Sequence, residues 1–191
     1  MTAPLRQLRK GKMAYNPEKH HRRSIRLREY DYAQPGAYFV TVCVRERECV
    51  LGNITDGEMV LSDLGKIARD FWAQVPVHFP TISIDTFVVM PNHVHAVIII
   101  NDLPCRGAVT APLQTGQSKI DRPTLGQIIA YYKYQTTKHI NQIHDNAETP
   151  FWQRGFYDHI IRNKRELNAI QQYIADNPVK WQLDRDNPQN L

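Results

Sequence analysis

Two β-prone runs, Ile82–Met90 and His93–Ile100, are separated only by Pro91 and Asn92, and this spacing narrows the possible folds more than any other feature of the chain. Both runs are rich in Ile and Val, with Phe and Thr in the first, residue types that fit a pleated, half-buried surface. Two residues cannot make a crossover, so the runs are expected to pair as an antiparallel hairpin.

The flanks supply elements to cover such a sheet. Ser62 is the expected N-cap of a helix in which Leu64, Ile67, Ala68, Phe71, Trp72 and Val75 recur at helical spacing up to Pro76. Thr124 caps a second, with Leu125, Ile128, Ile129, Tyr132, Thr136 and Ile140 on one side. Upstream, the turn signal Gln34-Pro35-Gly36 precedes a buried strand over 37–44, and a short hairpin is expected from 49–52 and 58–61 around Thr55-Asp56-Gly57. Downstream, 156–161 reads as a strand and 164–176 as a third helix, with Leu167, Ile170, Tyr173 and Ile174 periodic, stopping before Pro178. The Pro-, Gly-, Ser- and Thr-rich stretch 101–123 reads as a long loop. The main order is therefore βαββαβ plus a helix. That order predicts an α+β, ferredoxin-like antiparallel sheet with two helices on one face.

Charge divides the chain. Its net +5 is made of +8 over residues 1–28, from nine Lys and Arg against Glu18 alone, and −3 over the rest. A uniformly basic, nucleic-acid-coating protein is excluded. Residues 1–33 read as a basic arm, 34–181 as one domain and 182–191 as a tail. Three cysteines, Cys43, Cys49 and Cys105, show no CxxC spacing and offer no disulfide framework. No apolar run approaches the ~20 residues of a membrane span, and no apolar segment follows the N-terminal charges, so a cytoplasmic protein without a membrane partner is expected.

Two constellations carry chemistry. In His93-Val94-His95, strand geometry puts both imidazoles on one face, roughly 7 Å apart at the backbone, where they can share a metal ion. The plain alternative is a pair of satisfied polar residues on a half-exposed strand. Tyr173 and Asn177 lie one helical turn apart; a phenol can serve as a nucleophile and an amide oxygen can join a metal site. Spacing alone fits equally a packed tyrosine and an asparagine that ends a helix before proline.

The run Met90-Pro91-Asn92-His93-Val94-His95-Ala96 resembles the His-hydrophobic-His motif of the HUH superfamily of single-tyrosine nucleases. Trp152-Gln153-Arg154, Tyr157 to Asn163 and Tyr173-Ile174-Ala175-Asp176-Asn177-Pro178 resemble its REP-associated tyrosine transposase branch, close to the IS200-like transposases, as do Arg23 to Leu27 and Gln34 to Thr41. The resemblance spans about residues 22 to 181. It implies that His93 and His95 hold a divalent cation, Mg2+ or Mn2+, with Asn177 as third ligand, and that Tyr173 cleaves and rejoins single-stranded DNA through a covalent 5′-phosphotyrosine. Tyr157 is the competing nucleophile; Tyr131, Tyr132 and Tyr134 read as packing or stacking residues, and His159 as either support or packing. Hairpin-forming DNA is the implied partner, and relatives include both homodimers and monomers. Arg22, Arg23, Arg26 and Arg28 of the arm, with Lys133, Arg154 and Arg162, are the expected DNA contacts. The rival expectation is a domesticated single-strand binding protein without catalysis.

Overall fold

The computed structural model describes residues 27, 29–102, 122–143, 149–184 and 186–190. Arg22, Arg23, Arg26 and Arg28, Cys105 and most of the 101–123 stretch lie outside them.

The hairpin forms. Strand β4 (Ile82–Val89) and strand β5 (His93–Ile100) are antiparallel, and the amide of Met90 donates to the His93 carbonyl at 2.8 Å to close the turn. Strand β1 (Gly36–Cys43) pairs with the other edge of β5, and β6 (Tyr157–Ile161) with the free edge of β1, giving the order β4-β5-β1-β6. This antiparallel order is that of a split βαβ, ferredoxin-like sheet. A separate hairpin joins β2 (Gly52–Thr55) to β3 (Glu58–Leu61). Its first strand starts three residues later than the sequence suggests, because the two-residue turn is Asp56-Gly57, both with positive φ, and pairing fixes Thr55 opposite Glu58.

Alternation along the strands makes two faces. Tyr38, Val40, Val42, Val94, Ala96 and Ile98 point to one side, where helix α1 (Asp63–His78) and helix α2 (Leu125–Ile143) cover them in the larger core. Trp72 of α1 and Tyr132 of α2 stack at 4.3 Å, and the Tyr132 hydroxyl donates to the Ala68 carbonyl. The Trp152 indole donates to Thr136 Oγ1 at 2.6 Å, tying α2 to the segment before β6. Ser62 caps α1 as expected, accepting from the Gly65 amide; the helix runs two residues past Pro76, which falls in its last turn.

Helix α3 (Lys164–Asp176) covers the opposite face. Ile174 packs there with Phe39, Val97 and Ile161 in a second, smaller cluster. Asn163 caps α3 by accepting from the Glu166 amide at 2.9 Å. Sequence and structure agree on all of its boundaries.

Segments at both ends pack onto this frame. Tyr30 and Tyr32, from the part read as an arm, lie against Tyr38. Of the stretch read as mostly tail, Trp181–Leu183 and Pro188–Asn190 form short 3-10 turns, and Asp186 and Asn187 are buried.

Candidate metal centre and tyrosine

His93 and His95 sit at the start of β5, on the face that α3 covers, and both are buried. Their Nε2 atoms are 3.0 Å apart and so face a common point. The ring orientations are set from behind. His95 Nδ1 meets Thr41 Oγ1 at 2.9 Å, Thr41 standing directly opposite His95 in the β1–β5 register. His93 Nδ1 meets Asn92 Oδ1 at 2.8 Å.

The Asn92 contact also fixes the tautomer. Its amide nitrogen donates to the carbonyls of Arg47, at 3.1 Å, and Asp186, at 2.7 Å. Its oxygen must therefore be the atom facing His93, and an amide oxygen only accepts. Nδ1 of His93 then carries the proton, and the neutral ring keeps its Nε2 lone pair for a ligand. Hydrogen bonds of this kind orient imidazoles in metal sites.

A carboxylate completes the group. Ligand atoms of His93, His95 and Asp184 all lie within 4.8 Å of one another. Asp184 sits between the two 3-10 turns, in a segment secured by Asn92 and by an ion pair between Arg47 and buried Asp186. That pairing raises the pKa of Arg47 above its ordinary value, chiefly through the hydrogen bond to Asp186. Trp181, in the same segment, approaches the His93 ring to 6.0 Å.

Tyr173 projects from α3 toward the histidines. Its hydroxyl lies 3.3 Å from His95 Nε2, its ring 5.3 Å from the His95 ring, and it is 45% exposed, so solvent reaches a side chain that touches the buried pair. Asn177, the C-cap of α3, is buried, and its Oδ1 has no hydrogen-bond partner among the described residues. Tyr173, Asn177, Lys180, Leu183 and Asp184 line one hollow of about 440 Å³. Two imidazoles and a carboxylate suit a divalent cation, and an orphaned acceptor on Asn177 lines the hollow that Asp184 also lines.

The other expected residues scatter. Tyr157 shares the face but reaches Phe39, at 6.2 Å between ring centroids. His159 binds Glu166 at 2.6 Å. Lys133 donates to the carbonyls of Gln153 and Gly155, bracing the bend before β6. Arg154 lines a second hollow beside Thr41, and the Arg162 amide donates to Glu166. Sequence reading missed Thr41, Asn92 and Asp184. Asn92 could have been suspected from its place beside the histidines; Asp184 carries no local signal, since only tertiary folding brings it near.

A ferredoxin-like sheet whose β5 presents His-x-His beneath a tyrosine on a facing helix matches the HUH transposase fold. No family model matches the chain. It is 38% identical to an uncharacterized protein of Haemophilus influenzae over 176 residues, covering 90% of this chain and 96% of that one. A second protein of that organism, described as a candidate REP-associated tyrosine transposase, is 25% identical over 158 residues, 78% of this chain and 74% of its own. Among solved structures, a REP-associated tyrosine transposase bound to a REP hairpin superposes with a TM-score of 0.51 at 21% identity, covering 83% of this chain and 74% of that chain. The chain is thus similar in sequence to a candidate REP-associated tyrosine transposase and shares the fold of a solved one.

Proposed function

We propose that the protein cleaves and rejoins single-stranded DNA, with Tyr173 as nucleophile and a divalent cation held by His93, His95 and Asp184, with Asn177 beside them. The observation that carries this reading is the 3.3 Å contact between the hydroxyl of solvent-accessible Tyr173 and His95 Nε2, a member of the group His93, His95 and Asp184 that could hold a metal ion. When bound, the cation neutralises charge on a phosphodiester and supports the departing oxygen. Two imidazoles with oxygen donors favour Mn2+ over Mg2+ in affinity, while Mg2+ suits the oxygens.

The chain's own residues do the rest. Thr41 and Asn92 hold both imidazoles with Nε2 inward. Helix α3 aims the phenol oxygen at phosphorus; the bond to the 3′ oxygen breaks, leaving a free 3′-OH and a 5′-phosphotyrosine. Because the phosphate ester is conserved on Tyr173, attack by a 3′-OH rejoins strands without ATP. The relative solved with a REP hairpin supports a hairpin-bearing strand as substrate. The basic segment 1–28 is suited to gathering it electrostatically, and a DNA substrate places the work in the cytoplasm.

The test incubates the full chain with hairpin-bearing single-stranded DNA and Mn2+ or Mg2+, then resolves products under denaturing conditions. A covalent protein–DNA adduct is expected that is lost in Tyr173→Phe and kept in Tyr157→Phe. DNA binding without any adduct would leave a binding protein instead.

A further inference from the structure

Tyr157 is left without a role by the reading above, yet it stands on the same face as the histidines. In register, His95 lies opposite Thr41, and Thr41 opposite Tyr157, so Tyr157 is two strands from His95, or ~10 Å. Tyr157 lines a hollow of about 140 Å³ with Thr41, Arg47, Gln153, Arg154 and Phe156. This space holds one flat ring and no base pair.

The lining is chemically mixed in a way that matches a nucleotide. The Tyr157 ring packs edge-on to Phe39 and remains 40% exposed, which leaves aromatic surface for stacking. The side-chain amide of Gln153 makes no hydrogen bond to another described residue, while its backbone is anchored to Cys43 and Lys133. It is a held donor and acceptor, suited to a base edge. Arg47 pairs with Asp186, and Arg154 is the other charged residue of the lining.

We propose that this hollow binds one unstacked nucleobase of the DNA strand, one or two nucleotides from the phosphate at the metal centre, with Tyr157 as stacking platform and Gln153 reading the base edge. The inference rests on the single-stranded DNA reading and extends it to sequence preference. Stacking on an aromatic side chain is sequence-tolerant, whereas an amide discriminates between base edges.

The test uses the full-length Tyr173→Phe protein, which cannot form the adduct, and hairpin DNA carrying 2-aminopurine at each position of its single-stranded flank in turn. Quenching is expected at one or two adjacent positions. It is relieved in Tyr157→Leu with about tenfold weaker binding, and kept in Tyr157→Trp. Gln153→Ala is expected to change which natural base binds best at that position. Tyr157 lies at an exposed strand start, and an unchanged melting temperature confirms that the leucine variant folds. The same quenching in Tyr157→Leu as in its parent, no quenched position, or no DNA binding each overturns the proposal. Tyr157-dependent quenching with no adduct from the unmutated protein sinks the catalytic reading alone; an adduct without such quenching sinks the pocket alone.

Discussion

The Asn92 side chain bonds the His93 ring through its oxygen and the carbonyls of Arg47 and Asp186 through its nitrogen. One asparagine thereby joins His93 to the loop after β1 and to the C-terminal segment. Replacing Asn92 with Ala frees the ring and the tautomer it enforces. We expect a loss of about 10–100-fold in Mn2+ affinity by calorimetry. Asn92→Asp should not rescue it, because a carboxylate cannot donate to the two carbonyls.

Cation binding to the folded state alone raises stability by mass action. At a Mn2+ concentration about 100 times the dissociation constant the gain is about 2.7 kcal/mol. For a chain of this size that is a rise of roughly 5–10 °C in melting temperature. His93→Ala and His95→Ala should abolish the rise and Asp184→Asn should reduce it; an undiminished rise in Asp184→Asn would remove Asp184 from the ligand set.

Arg47→Ala strands the buried Asp186 carboxylate without its ion pair. The expected cost is about 1–3 kcal/mol in urea unfolding. Adding Asp186→Ala should cost less than the sum of the two single changes, since the second removes the charge the first leaves unpaired.

The carboxyl of Glu166 is held below its ordinary pKa, first by the Arg162 amide and then by His159. A group whose folded pKa is depressed lends stability above its unfolded pKa and loses it as pH falls through the folded one. Acidification below about pH 4 should therefore loosen the start of α3, seen as loss of amide protection there. Glu166→Gln should flatten that acid response.

Much of this was legible from local sequence. Strands β1, β4 and β5 appear as apolar runs, and α3 as a periodic stretch with a proline just beyond it, because burial on one face leaves a repeat in the chain. The His93, His95 and Tyr173 grouping was legible through motif order. Thr41, Asp184 and the Arg47–Asp186 pair were not, for they meet through strand register and the path of the last residues. Lys133 illustrates the converse: as sequence it is one more surface cation, and only tertiary structure shows it bonded to two carbonyls.

The two faces of the sheet are unequally secured. Most of the core lies beneath α1 and α2, while α3, which bears Tyr173, packs its one buried side chain, Ile174, against three buried residues of the sheet. Such unevenness permits local opening at lower free energy than global unfolding. Warming should detach the helix that bears Tyr173 while the frame still stands, so loss of any Tyr173-dependent activity should begin below the melting temperature, and Ile174→Ala should widen that gap.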